Sequence, residues 1–220
     1  MTHEERLKIF EEVECGCVTD AMIAFGIGSW MTGIFPVNDN AKIYGRARTA
    51  FFDIVTPPRE AVTPYQLIES CVPGEVMVWN ADINANIMGE NIYTFVKNHQ
   101  LGGVVIEGRV RDFNQIVELG GKVACRGRSV GSAPTNFRAT KATTDIPVTV
   151  GGVVVNPGDY ICGDADGIMV VPAADVDDVL IQAKMNMEWE GKLAKAIAAG
   201  YTAEEMKAVY AEQKILDRKK

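Results

Sequence analysis

The spacing of apolar side chains predicts helices at the start of the chain and extended structure after them. The stretch HEERLKIFEEV places its leucine, its phenylalanine and its last valine on one face, which is typical of an amphipathic helix. A shorter helix is expected over AMIAF, with Thr19 or Asp20 as its cap and Gly26 at its end. Residues 42–55 are rich in aromatic and β-branched side chains, so they are predicted to be extended.

The middle of the chain alternates between short apolar runs and amphipathic stretches. Residues 75–126 contain the strand-like runs EVMVW, VVIEG and KVACRG, separated by the helical stretches MGENIYTFVKNH and FNQIVEL. A further helix is expected near YQLIESC, before the first of these strands. Strands that alternate with helices in this way form parallel sheets. We therefore expect a parallel sheet with helices packed against it.

From IPVTV onward the pattern changes to antiparallel β structure and then to helix. PVTV and VVV flank a Gly-Gly pair, which is a hairpin signal, and the turn ADG joins YICGD to IMVVP. Pro172 ends this part of the chain. A long helix is expected over roughly 173–199, closing at Gly200. A second helix is expected to begin at the capping box TAEE, whose first residue is Thr202.

Composition and charge indicate an ordinary globular protein and exclude some partners. Hydrophobic residues make up 47% of the chain and charged residues 23%. The net charge is −7 and no basic stripe is present, so nucleic-acid binding has little support. Charged side chains interrupt every apolar run, so no membrane-spanning segment is expected. The N-terminus is acidic and amphipathic rather than a signal peptide, which favours a cytoplasmic protein.

The use of histidine and cysteine restricts the chemistry that the chain can carry. Its only histidines are His3 and His99, which gives little support to catalytic triads, Cys-His dyads or histidine-rich zinc sites. The five cysteines are odd in number and lie in apolar contexts, so we expect reduced, mostly buried thiols. No glycine stretch matches a phosphate-binding fingerprint. Any catalysis must therefore use carboxylates, arginine, lysine or a metal held by oxygen ligands.

The stretch EGRVRD places Arg111 and Asp112 where a buried strand ends and a helix begins. Ligands of α/β proteins bind at the carboxyl ends of parallel strands. Arg111 offers a planar fork for a carboxylate or an enolate oxygen, and Asp112 offers a hard oxygen ligand for a divalent cation. Taken singly, a plain N-cap at Asp112 and surface or ion-pairing roles for Arg109 and Arg111 are the simpler interpretation.

The stretch MGEN, which opens a helix after Gly89, is a second candidate. The first-turn amides of Glu90, Asn91 and Ile92 have no partners within the helix and are able to bind a small carboxylate. Glu90 stands beside that anion site. A bridging cation or water would allow the two negative groups to lie so close together. The simpler interpretation is that a glutamate in the first turn suits the helix dipole.

Two further acidic stretches are weaker candidates. Asp164 and Asp166 in GDADG resemble the start of a calcium loop, but the rest of the EF-hand pattern is missing, so a hairpin turn is expected there. Glu188 and Glu190 lie on the helix KMNMEWEGKLAKAIAAG. A solvated charged face is the default interpretation for them, and contact with a neighbouring subunit is the alternative.

The order of the motifs is similar to that of one known family. PGEVMVW precedes MGEN, and LGGVVIEGRVRD and IPVTVGGVVVNPGDYICGDADGIMVVP follow. Together they resemble the RraA-like family, that of the regulator of ribonuclease activity A. This family includes the 4-hydroxy-4-methyl-2-oxoglutarate and 4-carboxy-4-hydroxy-2-oxoadipate aldolases. The resemblance runs from about residue 19 to Pro172. Each motif alone is a weak signal, and the order of all of them is what distinguishes the family.

This resemblance implies a fold, an assembly and a class of reaction. The fold would be a β/β/α swivelling-domain sandwich over residues 1–172, with a C-terminal helical extension over 173–220. The assembly would be a homotrimer or hexamer with active sites between subunits. The aldolase members resemble class II enzymes, which use Mg²⁺ or Mn²⁺ instead of a lysine Schiff base. The implied activity is a metal-dependent carbon–carbon lyase, an aldolase or decarboxylase that forms a pyruvate enolate from 4-hydroxy-4-methyl-2-oxoglutarate, oxaloacetate or a similar short 2-oxo acid.

The two central motifs carry the site residues that the resemblance implies. In EGRVRD, Arg111 would hold the pyruvate-like part of the substrate and stabilise the enolate, and Asp112 would bind the metal, partly through waters. In MGEN, the amides after Gly89 would take the substrate carboxylate, and Glu90 would position a metal-bound water. The implied catalytic residues are Arg111 and Glu90, the metal ligand is Asp112, and the substrate-binding residues are Gly89, Asn91, Ile92 and Arg111.

The chain also departs from the family pattern, and other functions stay open. The stretch WNADINANI at 79–87 lacks the glycine-rich, aspartate-containing segment of many members, which bears on the substrate more than on the lyase chemistry. The helical tail resembles an aldolase tail that gives a glutamate to the neighbouring site, and Glu188 is the candidate. The alternatives are a non-catalytic regulator that binds a ribonuclease and a different lyase on the same scaffold. The complete Arg-Asp pair argues against the regulator.

Overall fold

The structure is a computed structural model that describes residues 1–56 and 60–218. Residues Ser29–Ala173 form one compact unit, and Met1–Gly28 together with Ala174–Lys220 form a second. The expectation that a domain covers residues 1–172 and a helical extension covers residues 173–220 stays a prediction.

The first unit contains twelve named strands, three helices and a 3-10 turn among its described residues. Its strands are β1 (Phe35–Pro36), β2 (Ile43–Phe51), β3 (Asp53–Ile54), β4 (Val76–Asn80), β5 (Asn86–Met88), β6 (Gly103–Val110), β7 (Val123–Arg128), β8 (Phe137–Arg138), β9 (Val148–Val150), β10 (Val153–Val155), β11 (Tyr160–Asp164) and β12 (Gly167–Val171). Its helices are α3 (Pro64–Glu69), α4 (Glu90–Asn98) and α5 (Phe113–Glu118), and the 3-10 turn covers Lys141–Thr143.

The main sheet has eight strands, in the order β1-β7-β6-β4-β2-β11-β12, with β5 paired to β6 beside this path. Strands β2, β4, β6 and β7 pair in parallel, and β11 and β12 pair antiparallel. A bridge between Trp30 and Met169 brings the segment before β1 next to β12, so the sheet is almost closed on itself. The predicted parallel centre and the predicted antiparallel hairpin are both confirmed.

Alternation along the central strands creates two apolar layers. On β4, Met77 and Trp79 belong to a buried cluster that includes side chains of α3, α4 and α5. The intervening Val76 and Val78 belong to a second cluster, which includes the valines of the hairpin β9–β10. Since successive side chains of a strand point to opposite faces, the sheet is covered by helices on one face and by a hairpin on the other. The predicted β/β/α layering is therefore confirmed.

Glu107 fixes the hairpin β9–β10 to the middle of the main sheet. Its side chain is only 8% exposed and forms an ion pair with Arg126 of β7. Its other carboxylate oxygen accepts a hydrogen bond from the Gly151 N–H, in the turn between β9 and β10, at 2.5 Å. A charged acceptor inside the sheet thus joins β6, β7 and the hairpin.

The second unit is helical. It consists of α1 (His3–Glu12), α2 (Cys15–Ala24), α6 (Val176–Ala198) and α7 (Ala203–Tyr210). The long helix and the Thr202 capping box are where the sequence predicts them, and these two C-terminal helices are the expected extension.

The predicted start of α2 is wrong, because this helix begins at Cys15 instead of near Ala21. Cys15, Cys17 and Val18 are buried, so the apolar face of the helix extends one and a half turns further towards the N-terminus. Thr19, expected as the cap, lies inside the helix and donates its hydroxyl to the Cys15 carbonyl. In the described part of the chain, no helix combines the length and the apolar character that crossing a bilayer requires.

Candidate active site

The two motifs predicted to carry the site lie side by side at one edge of the main sheet. Strands β5, β6 and β7 run parallel and end there, at Met88, Val110 and Arg128. The Arg111 N–H donates to the Met88 carbonyl at 3.0 Å, which ties the end of β6 to the end of β5. The Glu90 N–H donates to Asp112 Oδ2 at 3.2 Å. The start of α4 and the Arg-Asp pair are thus in direct contact.

Asp112 does not act as a plain helix cap. It occupies the N-cap position of α5, but its side chain makes no capping hydrogen bond to that helix. Its backbone is left-handed, with φ 59° and ψ 41°, a conformation that aspartate tolerates better than most residues. This conformation turns the carboxylate away from α5 and towards the first turn of α4. The Asp112 side chain remains 36% exposed, so one side of the carboxylate faces solvent.

Arg111 lies next to that carboxylate and is half exposed. Its Nε atom is 3.4 Å from Asp112 Oδ2, a distance that allows an ion pair but is long for a hydrogen bond. An exposed pair of this kind contributes little to stability. The guanidinium therefore keeps donors available for a ligand, which is the role that the sequence predicts for it.

Gly89 is required by the close approach of both side chains. A Cβ at this position would lie 3.1 Å from Arg111 Nε and closer still to Asp112 Oδ2. The backbone of Gly89 is extended, so the requirement is one of space and not of unusual φ. The absence of a side chain here lets the Arg111-Asp112 pair reach the N-terminus of α4.

The first turn of α4 has unused hydrogen-bond donors. In the described part of the chain, no acceptor pairs with the N–H groups of Asn91 and Ile92, and Gly89 provides no side-chain cap. The partial positive charge of the helix N-terminus adds to these donors. Binding of a small carboxylate by these donors stays a prediction, and the Glu90 side chain is partly exposed at the same place.

A cavity of about 350 Å³ opens at this edge of the sheet. Arg111 and Asp112 line it directly, whereas Gly89 and Glu90 do not line it and lie next to it, against these two residues. The other lining residues come from the end of β6, from α5 and from the loop after β7: Val110, Phe113, Asn114, Gln115, Arg128, Ser129 and Val130.

The loop after β7, which forms one wall of the cavity, is not among the residues predicted from the sequence. Arg128 ends β7 and pairs with Val110 in the sheet register. Asn86 of β5 holds the loop in place, since its Nδ2 atom donates to the Gly131 carbonyl at 2.8 Å. The signal was available, because KVACRG is predicted to be a parallel neighbour of VVIEG and must end at the same edge.

The oxygen donors fit a hard divalent cation that keeps most of its water. The described residues contain no group of three or more His, Cys, Asp or Glu side chains placed to hold a metal. Asp112 offers one partly exposed carboxylate, and Glu90 lies next to it because the Glu90 backbone N–H donates to that carboxylate. Mg²⁺ is commonly held by one or two carboxylates, with water and substrate oxygens completing its shell. The residues present therefore fit Mg²⁺ or Mn²⁺ better than a cation that needs a full protein cage.

The remaining predicted residues lie elsewhere. Asp164 and Asp166 form the turn between β11 and β12, as expected, with the Asp166 N–H bonded to Asp164 Oδ1 at 3.1 Å. Glu188 is exposed on α6. Burial, followed by the nearby Glu190 carboxylate, raises the pKa of Cys17 to about 12. Glu190 therefore lies beside a buried thiol, and a site role for Glu188 stays a prediction.

The cysteines are poor candidates for catalysis. All five are free thiols, and four of them are buried. Burial raises the pKa of Cys71 to about 12 and that of Cys125 to about 11. Since the thiolate is the reactive form, these side chains are protonated and unreactive near neutral pH.

Comparison with known proteins identifies the family. A family model described as RraA-like, aldolase/RraA, matches residues 16–170, which include both MGEN and EGRVRD. The chain belongs to the RraA-like family. The resemblance seen in the order of the motifs is thereby confirmed.

Relatives of this RraA-like chain carry aldolase names. A Halalkalibacterium halodurans protein, provisionally named 4-hydroxy-4-methyl-2-oxoglutarate aldolase, is 27% identical over 191 residues, covering 86% of this chain and 87% of that protein. A similarly named Arabidopsis thaliana protein is 29% identical over 136 residues, covering 59% of this chain and 78% of that protein.

Solved structures confirm the RraA-like fold. An uncharacterised protein of Pseudomonas syringae pv. tomato superposes with a TM-score of 0.80 at 23% identity, over 91% of this chain and 96% of that one. RraAS2 of Streptomyces coelicolor superposes with a TM-score of 0.76 at 25% identity, over 87% of this chain and 97% of that one. The second is described as an unusual member of the RNase ES inhibitor RraA protein family.

Proposed function

We propose that this RraA-like protein is a divalent-metal-dependent class II aldolase and decarboxylase that acts on a short 2-oxo acid and releases pyruvate. The observation that carries the proposal is the contact between Asp112 and the first turn of α4, with Arg111 beside it. A guanidinium, a partly exposed carboxylate and backbone N–H donors without acceptors lie close together in this arrangement, which supports the proposal. The aldolase names of the relatives support the same class of reaction.

Substrate binding would use charge and hydrogen bonding from two sides. The N–H groups of Asn91 and Ile92 would receive the carboxylate next to the 2-oxo group, since they have no acceptor among the described residues. The guanidinium group of Arg111 would face the 2-oxo oxygen. Asp112 would hold Mg²⁺ or Mn²⁺, which when bound polarises the 2-oxo group as a Lewis acid.

Cleavage of 4-hydroxy-4-methyl-2-oxoglutarate would break the bond between C3 and C4. The electron pair of that bond stays on C3, and the resulting pyruvate enolate carries negative charge on the oxygen that faces Arg111. The charge is greatest as the bond breaks, so the guanidinium stabilises the transition state more than the substrate. The C4 hydroxyl loses its proton and becomes the carbonyl of a second pyruvate. We assign the acceptance of this proton, directly or through one water, to Glu90.

Oxaloacetate would be decarboxylated at the same place. Its C3–C4 bond breaks with loss of CO₂, and the same pyruvate enolate remains for protonation at C3. No hydroxyl proton has to be removed in this case. The two reactions therefore share the need for Arg111 and Asp112 but differ in their need for a base.

The test is pyruvate release from both compounds with Mg²⁺, with Mn²⁺ and with excess EDTA. We expect metal-dependent release that Asp112→Ala lowers by about a hundredfold or more, with unchanged circular dichroism. Asp166→Ala is the matched control, because it removes an exposed carboxylate from a hairpin turn outside the cavity. Full activity in EDTA, or in Asp112→Ala, would falsify the metal-dependent mechanism. A folded protein that releases no pyruvate from either compound would instead point to a different lyase reaction.

A second candidate is a regulator that binds a ribonuclease. The likeness to RraAS2, whose description names an RNase ES inhibitor family, supports it. A purified RNase E-type enzyme should then be inhibited by this chain, and Asp112→Ala should inhibit it equally well. Binding a ribonuclease does not require a cavity lined by Arg111 and Asp112, so we place this function second.

A further inference from the structure

The cavity contains a second arginine that the proposed mechanism does not use. Arg128 lies at the end of β7, opposite Val110 in the register between β6 and β7. Arg111 follows Val110 directly, and neighbouring strands are about 4.8 Å apart. Both arginines line the cavity. They therefore line the cavity from the ends of adjacent strands, Arg128 as the last residue of β7 and Arg111 as the residue directly after β6.

Arg128 is held by an aromatic ring instead of a carboxylate. Its guanidinium carbon is 4.3 Å from the centre of the Phe113 ring. Phe113 begins α5 and packs against the buried helical-side cluster, so the ring is a fixed surface. Stacking restrains the plane of a guanidinium while leaving the N–H groups at its edge free to donate. Within residues 1–56 and 60–218, no carboxylate forms an ion pair with Arg128, in contrast to Arg111.

The charged residues that line the cavity leave Arg128 available for a second negative group of the ligand. Arg111 and Arg128 contribute two positive charges and Asp112 contributes one negative charge. The other polar lining side chains, Asn114, Gln115 and Ser129, are neutral hydrogen-bonding groups. A monocarboxylic 2-oxo acid held at Arg111 and the start of α4 would leave Arg128 without an anionic partner.

We propose that Arg128, stacked on Phe113, binds the second carboxylate of a 2-oxo dicarboxylic acid and so selects dicarboxylic over monocarboxylic substrates. This inference rests on the proposed function, since it takes the 2-oxo end of the ligand to be held beside Arg111. It assigns to Arg128 a role in specificity, with no part in breaking the carbon–carbon bond. The second carboxylate of a hydroxylated 2-oxoglutarate survives the cleavage, so this contact persists throughout the reaction.

The test compares the binding of two uncleavable ligands of equal chain length. 2-Oxoglutarate has carboxylates at both ends and no hydroxyl to lose, whereas 2-oxopentanoate ends in a methyl group. Calorimetric titration of the full chain with Mg²⁺ should show 2-oxoglutarate binding at least about tenfold more tightly, because a charge-assisted contact is made by only one ligand. Arg128→Gln should lower the affinity for 2-oxoglutarate by about tenfold and leave that for 2-oxopentanoate within about twofold. Arg128→Lys should retain part of the preference.

Lys122→Gln is the matched control. Lys122 precedes β7 at the opposite end of the strand and also lies over an aromatic ring, with Nζ 5.4 Å from the centre of Tyr44. This variant loses the same charge outside the cavity, so the preference for 2-oxoglutarate should not change.

The outcomes separate this inference from the proposed function. Equal losses for both ligands in Arg128→Gln, or no loss for 2-oxoglutarate, would overturn the specificity role, as would a wild-type protein that does not prefer 2-oxoglutarate. If the wild type binds 2-oxoglutarate through Arg128 but releases no pyruvate in the assay above, the proposed reaction fails and the dicarboxylate site stands.

Discussion

At the scale of single residues, the candidate site depends on two backbone positions that let the Arg111-Asp112 pair reach the start of α4. Asp112 adopts a left-handed conformation that directs its carboxylate to the Glu90 N–H. Gly89 leaves the space that this carboxylate and Arg111 occupy. Non-glycine residues in left-handed conformations are uncommon and often occur at functional sites. The arrangement is therefore more informative than the exposed Arg111-Asp112 ion pair alone.

Replacing Gly89 by alanine should disable the site without unfolding the protein. The added Cβ would collide with Asp112 Oδ2 and crowd Arg111 Nε, so both side chains must move away from α4. We expect pyruvate release to fall by about a hundredfold, since a misplacement of about 1 Å costs that much. Gly16→Ala is the control, because a Cβ on this exposed residue of α2 meets nothing within 4 Å. Unchanged activity of Gly89→Ala would contradict the packing described here.

Replacing Glu90 by glutamine should separate the two proposed reactions. Aldol cleavage requires a base for the hydroxyl proton, whereas decarboxylation of oxaloacetate does not. We expect kcat for 4-hydroxy-4-methyl-2-oxoglutarate to fall by about 10² or more, and kcat for oxaloacetate to change much less. Equal losses for both substrates would show that Glu90 acts by positioning and not as a base.

Several site residues could be predicted from the sequence and others could not. Arg111 and Asp112 stand at the predicted end of a buried strand, and Gly89 stands at the predicted start of a helix, so local patterns are sufficient to find them. Whether these two motifs touch depends on the pairing of β5 with β6, which no local pattern encodes. The sequence does predict that KVACRG ends at this edge, but the position of Arg128 opposite Val110 depends on the register of β7 beside β6, which the local pattern does not give.

At the scale of elements, the type and order of helices and strands could be predicted where the apolar pattern is strong. Short elements with a weak pattern could not be predicted. Strands β4, β6 and β7 contain buried apolar runs, and their parallel pairing follows from the helices between them. Strand β5 has only three residues and a register shift against β6, so it leaves no pattern to recognise. Helix α2 begins in CGCV, where small and apolar residues suggest no cap. Tertiary burial, and not a capping signal, sets that boundary.

The attachment of the hairpin β9–β10 to the sheet should depend on Glu107. Replacement by glutamine removes the charge that pairs with Arg126 and weakens the acceptor for the Gly151 N–H. We expect a loss of about 1–3 kcal/mol in the free energy of unfolding, measured by urea denaturation, since hydrogen bonds to buried charged groups are among the stronger ones. Glu204→Gln breaks an ion pair with Lys207 whose side chains are 80% and 72% exposed, so it should cost no more than about 0.5 kcal/mol. Equal effects would contradict this role for Glu107.

At the scale of the whole molecule, the almost closed sheet leaves large apolar side chains on the surface of the β unit. Trp30 is 53% exposed, Phe35 is 62% exposed, and Val130 at the cavity is 94% exposed. Single exposed apolar residues are normal, but a small domain gains by covering several large ones. Together with the trimer that the family resemblance implies, this favours burial of such surface between copies of the chain.

Assembly should therefore be required for activity. We expect sedimentation to give three or six times the 23.9 kDa mass of the chain, because closed rings of identical subunits cover matching surfaces without leaving free edges. If the sites lie between subunits, as the resemblance implies, dilution that lowers the measured mass to one chain should lower specific activity in the same proportion. The two quantities should be measured at the same concentrations, with Mg²⁺ held constant. A monomer with full specific activity would show instead that one chain supplies every group the reaction needs, and would remove any role for Glu188 of a neighbouring subunit.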